Sequence, residues 1–336
     1  MTEENSKKIT FMNYTLIALI VLLHCDNRTT SDYNFVVTSE GDFVINIVYN
    51  IFGKLCETAV PTFYALSGYL FFRNCTDENL TIKCKKRFKT VMIPYLFWNG
   101  IFYIVYFIMS GIPLIASRIN MNIPSLSLYS VVFQNFANPP LWFLRKLFYL
   151  QMLSPIVYFL FKKIGKYSGG VLVVLAAVDV VVQFGYSNTF HWFPVYFGAG
   201  FLAMFYKKVV EEKWQLWMQE NKCKIFLIVA LLIIAELVVG RIQWLIAPLL
   251  WWGVLGCISK IPYMPFMKAS FFVFCTHYFT ILIVRKVLVL LLGTLPIMML
   301  TTYLLSFIIV LIFTTSTGII LKKVNPKTYG AVCGGR

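Results

Sequence analysis

Charged residues are scarce in this sequence, acidic residues are fewer than basic ones, and histidine is rarer still. Only 13% of the 336 residues are charged, 14 are aspartate or glutamate, and three are histidine. The eight cysteines are scattered without a Cys-x-x-Cys pair, a pattern that indicates neither a zinc site nor a disulfide scaffold. We therefore expect no bound metal, and chemistry that needs a base near neutral pH has few side chains to use.

Apolar residues are abundant instead. They make up 59% of the chain, whereas a soluble domain has roughly 45–50%. A net charge of +16 would suggest nucleic-acid binding in a soluble protein. Here the basic residues lie in short segments between apolar runs, as membrane topology requires. The composition therefore predicts an integral membrane protein without a nucleic-acid partner.

The apolar runs predict an all-α fold, a polytopic membrane helix bundle that forms one domain over residues 1–336. A membrane-spanning helix needs about 20 apolar residues, and most lysines and arginines fall in alternate loops. That alternation places both termini in the cytoplasm. The ten predicted spans are 9–25, 55–73, 90–109, 141–161, 169–185, 190–206, 224–240, 242–258, 269–292 and 296–321.

Several ionisable residues fall at the ends of these spans or within them. His24 ends the first span at the predicted outer face, where an unpaired imidazole is costly, so it is a candidate functional residue. Glu57 and Arg145 begin spans on the same side, which predicts an outward-facing polar site. We expect Lys146 to snorkel to water instead. His277 lies about two turns into the ninth span from the cytoplasmic side, and a hydrogen bond to a neighbouring helix is its simplest role.

Six segments, in this order, resemble the acyltransferase 3 family of bacterial membrane proteins. They are LLHC (22–25), VPTFYALSGYLFF (60–72), KKRFKTVMIPYLFWN (85–99), LWFLRKLFYLQMLSPIVY (141–158), YFGAGFLA (196–203) and SFFVFCTHYF (270–279). The resemblance implies ten spans in the bacterial cytoplasmic (inner) membrane. It also implies transfer of an acyl group, commonly acetyl or succinyl, from a coenzyme A thioester to a sugar hydroxyl.

One position departs from the family pattern. The family has an arginine eleven residues before the histidine of the first span, on the same helix face, and this chain has Asn13 there. The departure removes a cation proposed to help hold the acyl donor. The resemblance still carries His24 and Arg145 over as catalytic candidates.

Acyl transfer to a hydroxyl needs a base, for which a neutral imidazole is well suited near pH 7. We expect His24 to be that base, with Asp26 or Glu57 orienting its ring. An ion pair of Glu57 with Lys54 is an equally simple role for that carboxylate. The Ser67-Gly68 pair predicts close helix packing, and no Ser-His-Asp triad is indicated.

The developing oxyanion needs a fixed hydrogen-bond donor. Arg145 is the first candidate and the Asn99 amide is the second. The alternative for Arg145 is a structural ion pair with one of three carboxylates, namely Glu57, Asp179 or Glu236.

A basic segment before the third span is the candidate donor site. Lys85, Lys86 and Arg87 could attract the phosphates of acyl-CoA, which would act as a co-substrate rather than as a tightly bound cofactor. The alternative is that these residues only enforce topology and contact anionic membrane lipid.

The predicted function is therefore O-acyl transfer, with acetyl as the expected group, from cytosolic acyl-CoA to a cell-surface or lipid-linked glycan. The alternative is a secondary transporter or polysaccharide exporter that makes and breaks no bond. Transporters often contain two corresponding halves with Gly- or Pro-interrupted helices. We find no such halves in this sequence, which favours the enzyme.

Overall fold

A computed structural model describes residues 3–26, 43–112, 129, 133, 135, 138–185, 188–221, 224, 243–258 and 261–335. Every regular element in these ranges is helical, and the predicted all-α fold is confirmed. The helices are α1 (Glu3–His24), α2 (Phe43–Glu57), α3 (Ala59–Phe72), α4 (Asp77–Arg87), α5 (Ile93–Ser110), α6 (Trp142–Ile164), α7 (Ser168–Val182), α8 (Phe193–Phe205), α9 (Trp214–Glu220), α10 (Gln243–Cys257), α11 (Ser270–Leu292), α12 (Pro296–Val324) and α13 (Pro326–Val332).

Five helical stretches of the described residues are long and apolar enough to cross a membrane, so this is a multi-pass membrane protein. Two shorter apolar helices, Phe190–Phe205 and Trp244–Gly256, accompany them. The count of ten spans and the cytoplasmic termini stay predictions, and the seventh predicted span lies almost entirely outside the described residues. The five stretches are Glu3–His24, Asp77–Ser110, Pro139–Val182, Pro265–Leu292 and Ile297–Val324.

The second predicted span differs from the structure. Residues 55–73 do not form one helix, because α2 begins at Phe43 and ends at Glu57, and α3 begins at Ala59. Pro61 lies in the first turn of α3. Proline has no N–H, so in a continuous helix it could not bond the carbonyl of Glu57, whereas the first turn of a new helix needs no such bond. The break between α2 and α3 therefore places Pro61 in the first turn of a helix, where a proline is well tolerated.

The chain forms two compact units. The first contains residues 1–16, 57–88 and 146–264. Its centre is the contact of α3 with α8, where Gly68 lies directly against the backbone of Tyr196 and Gly200 lies against the ring of Phe72. Any larger side chain at Gly68 would collide with that backbone, so the close packing predicted at Ser67-Gly68 is confirmed.

The second unit contains residues 17–56, 89–145 and 265–336. Its centre is the contact of α11 with α12, where Gly318 lies against the ring of Phe272. The C-terminal helix α13 also packs in this unit, and the indole N–H of Trp98 donates to the carbonyl oxygen of Val332 at 2.9 Å. The contact of Gly318 with Phe272 lies in the N-terminal half of α11, which also carries His277.

Candidate active site

His24 is the last residue of α1, and its side chain is half-buried. Its Nδ1 lies 2.8 Å from the carbonyl oxygen of Ile20, one turn earlier. A carbonyl oxygen can only accept a hydrogen bond, so Nδ1 must carry the proton. The lone pair of the neutral ring is therefore on Nε2, the atom that can act as a base.

His277 is the eighth residue of α11 and is fully buried. Its Nδ1 lies 2.7 Å from the carbonyl oxygen of Phe274 and 3.2 Å from that of Val273. The same argument places its lone pair on Nε2, which has no hydrogen-bond partner among the described residues. The predicted hydrogen bond to a neighbouring helix is therefore wrong, because His277 bonds to its own helix.

The two histidine rings lie against each other, with centroids 5.2 Å apart and planes at 63°. The ring of Tyr278 lies 5.8 Å from that of His24, almost perpendicular to it. The sequence predicts His24 at the outer end of the first span and His277 about two turns into the ninth span, and this contact between them was not predicted. α11 continues from His277 to Leu292, about 22 Å at 1.5 Å per residue. α1 therefore ends beside the middle of the long apolar stretch 265–292.

Arg145 is the fourth residue of α6 and is half-buried, in the same unit as the histidine pair. The turn that leads into α6 is fixed to α11, because the Asn138 amide donates to the carbonyl oxygen of Cys275 at 2.8 Å. Cys275 lies two residues before His277. The catalytic role of Arg145 stays a prediction.

The remaining predicted site residues lie in the first unit. Glu57 is the half-buried last residue of α2. Lys85 and Lys86 are exposed in the last turn of α4 and Arg87 is half-buried at its end, before a π-helical turn. Cations are favourable at a helix C-terminus. The three basic residues are consecutive in sequence and share the last turn of α4. Their roles and that of Glu57 stay predictions.

A family model for an acyltransferase domain matches residues 8–321 of the chain. The protein belongs to the acyltransferase 3 family. It is similar to the succinoglycan biosynthesis protein ExoH of Rhizobium meliloti (strain 1021), with 31% identity over 134 residues. That match covers 38% of this chain and 35% of the relative's length. No solved structure matches the chain.

The family arginine of the first span is replaced by Asn13, and the structure defines its setting. Asn13 is half-buried on α1, the helix that ends at His24. Eleven residues of helix put the two positions about 16 Å apart along the axis. Asn13 carries no charge, so it cannot supply the cation of the family arginine.

A buried histidine–aspartate hydrogen bond that the sequence did not predict lies in the first unit of this acyltransferase-family protein. The Nδ1–H of His191 donates to Oδ2 of Asp179 at 2.9 Å, and both side chains are buried. The indole rings of Trp192 and Trp244 pack against the imidazole, with centroids at 4.5 and 4.7 Å. A carboxylate in an apolar helix must find such a partner. Asp179, a predicted alternative partner of Arg145, therefore serves a different residue.

Lys146 and Asn99, two further residues named from the sequence, are both buried. Lys146 is 5% exposed and packs inside the protein, so the prediction that it snorkels to water is wrong. The side chain of Asn99 is buried and its amide donates to the carbonyl oxygen of Tyr95 at 2.9 Å. Arg145 has five N–H groups to offer and is the stronger oxyanion candidate.

Among the described residues, no three His, Cys, Asp or Glu side chains are grouped to hold a metal.

A small apolar cavity of about 80 Å³ lies in the first unit, lined by residues of α1, α3, α8 and α10 that include Ile9, Ala65 and Leu202. Its polar end is a network that sequence analysis also missed. Arg73 forms an ion pair with Glu211, with Nη2 at 3.1 Å from Oε2, and the Tyr69 hydroxyl donates to Oε1 at 2.9 Å.

Burial opposes ionisation of Glu211, but the bonds from Arg73 and Tyr69 outweigh it and hold the carboxyl pKa below its usual value. Glu211 lies in a π-helical turn, Val209–Lys213. Such turns displace side chains from regular helical positions. Arg73 and Glu211 are 138 residues apart in the chain, so no local pattern in the sequence could relate them.

Proposed function

We propose that the protein is a membrane-embedded O-acyltransferase of the bacterial cytoplasmic membrane. The acyl group, acetyl as first candidate, comes from cytosolic acyl-CoA and goes to a hydroxyl of a cell-surface or lipid-linked glycan. Membership of the acyltransferase 3 family supports the reaction class. The similar protein is a succinoglycan biosynthesis protein, which supports a polysaccharide acceptor.

The observation that carries the proposal is the hydrogen bond from Nδ1–H of His24 to the Ile20 carbonyl at 2.8 Å. Because Nδ1 carries a proton that is already hydrogen-bonded, Nε2 of this half-buried ring is the nitrogen that can act as a base. His24 is also the last residue of α1, and the negative end of the helix dipole stabilises its cationic form by about 0.3–1 kcal/mol. An imidazole so placed keeps one orientation and offers the Nε2 lone pair to a proton donor.

The reaction then proceeds in one balanced exchange. Nε2 of His24 takes the proton of the acceptor hydroxyl while the hydroxyl oxygen attacks the thioester carbonyl. The new C–O bond forms, the C–S bond breaks, and the proton leaves with the coenzyme A thiolate. Arg145 donates to the carbonyl oxygen as it becomes negative, with Glu57 as a further candidate for orientation. General-base catalysis of this kind contributes roughly 10²–10⁴-fold.

The donor site in this proposal is the last turn of α4. Lys85 and Lys86 are exposed and Arg87 is half-buried, so the turn presents three cations to a phosphate-rich ligand. A planar guanidinium binds phosphate through two parallel hydrogen bonds, whereas the ammonium groups act as point charges. We therefore assign the most specific donor contact to Arg87.

The test is acyl transfer by full-length protein in liposomes, with labelled acetyl-CoA on the cytoplasmic side and a glycan outside. We expect His24→Ala to lower the rate by roughly 10²–10⁴-fold. Thr15→Ala is the matched control, because Thr15 is also half-buried on α1 and its hydroxyl bonds within the same helix. Equal rates for wild type and His24→Ala would refute the base assignment. Movement of intact glycan without acyl-CoA would support the exporter instead.

A further inference from the structure

His24 and His277 lie in contact, but the atoms left free on their two rings cannot hydrogen-bond to each other. Both Nδ1–H groups are committed to backbone carbonyls of their own helices, so each neutral ring has only an acceptor, Nε2, left to offer. Two acceptors cannot bond to each other. The Nε2 of His277 is buried and lacks a partner among the described residues. An unsatisfied buried acceptor is unfavourable, and an apolar side chain of similar shape would avoid that cost.

The pair becomes favourable when one ring is positively charged. A neutral imidazole with its proton on Nδ1 has the negative end of its dipole at Nε2. The His24 ring, with its centroid 5.2 Å away, is the nearest aromatic neighbour that can become a cation. Little water separates the rings, because His277 is fully buried, and electrostatic interactions are stronger in such surroundings. The interaction exists only after His24 has taken a proton.

We propose that His277 is a positioning residue for acyl transfer, and that its Nε2 lone pair stabilises the imidazolium that His24 becomes during the reaction. This inference rests on the proposed function. The proton passes from the acceptor hydroxyl to His24 and then to the departing thiolate, and His277 neither gains nor loses one. Because the cation forms in the transition state and not in the bound ground state, the contribution falls on kcat and not on KM.

The experiment compares His277→Leu and His277→Gln in the full chain, with transfer from labelled acetyl-CoA and thermal unfolding measured on the same preparations. Interactions of a neutral group with a charged one are worth about 10- to 100-fold in rate. We expect His277→Leu to lower kcat by that factor with both KM values unchanged. His277→Gln retains an acceptor oxygen and should recover part of the loss.

Stability provides the readout that separates this role from packing. Leucine removes the unsatisfied acceptor, so we expect His277→Leu to unfold at the same temperature as wild type or higher, even though it is slower. A packing role predicts the opposite, with lower stability and equal effects of Leu and Gln on rate. Full kcat in His277→Leu, together with a requirement for His24, would overturn this inference alone. Loss of the His24 requirement would overturn the proposed function.

Discussion

The ion pair of Arg73 with Glu211 allows the energetics of the first unit to be tested quantitatively. The side chains are 12% and 15% exposed, and the carboxylate also accepts from Tyr69. Removing one member of a fully buried pair costs about 3–5 kcal/mol, because the other charge is left without compensation. Partial exposure lets water recover some of this energy. We therefore expect Arg73→Met to lower the free energy of unfolding by about 2–3 kcal/mol.

A second pair in the same unit is a matched control. Asp77 accepts from Lys162 at 2.7 Å and from the Tyr158 hydroxyl at 2.8 Å, which reproduces the carboxylate–cation–tyrosine arrangement. Here the charged side chains are 45% and 56% exposed. Exposed pairs are worth about 0–1 kcal/mol, so Lys162→Met should cost less than 1 kcal/mol.

The assay is denaturant unfolding of the full chain in detergent micelles, followed by tryptophan fluorescence. If burial decides the energetics, Arg73→Met destabilises the protein clearly more than Lys162→Met does. Adding Glu211→Gln to Arg73→Met should then recover part of the loss, because the uncompensated charge disappears. Equal effects of the two methionine variants, or no recovery in the double variant, would refute this account of the ion pair.

Three further predictions concern packing, pH and the donor site. Gly68→Ala should destabilise the protein by about 1–3 kcal/mol because its Cβ meets the backbone of α8; Gly198→Ala, which has open space, should stabilise it by up to about 1 kcal/mol in the same unfolding assay. Because the pKa of Glu211 is lowered in the folded protein, its ionised carboxylate contributes to the free energy of unfolding above about pH 4.3. That contribution is lost as the pH falls through the folded-state pKa. In this acidic range the unfolding midpoint of wild type should therefore fall more steeply with pH than that of Glu211→Gln. Arg87→Gln should raise KM for acetyl-CoA with kcat little changed, whereas Lys323→Gln, an exposed basic control, should leave KM unaltered.

The helical fold and the family were predictable because both depend on short, contiguous stretches of sequence. Apolar runs near span length fix the helices, and six short motifs in order identify the family. The break between α2 and α3 was missed, although Pro61 marks it, because hydropathy alone does not register a missing N–H. The π-helical turn that carries Glu211 was missed for a related reason, since it departs from the regular helical period.

The candidate site was predictable only in part. His24 stood out because an imidazole at the end of an apolar helix needs a reason to be there. Its contact with His277, 253 residues later, depends on where α1 ends beside α11, and no local pattern encodes that depth. The bond of His191 with Asp179 is a similar case, because only the packing of the chain brings the two side chains together.

Chemical rescue is the most direct test of whether the His24 imidazole supplies the base. His24→Gly in liposomes should transfer acyl groups slowly, and added imidazole should restore part of the rate. Among substituted imidazoles of similar size, the recovered rate should rise with basicity, as general-base catalysis requires. A folded His24→Gly protein whose rate does not respond to any imidazole, or that needs none, would contradict the account.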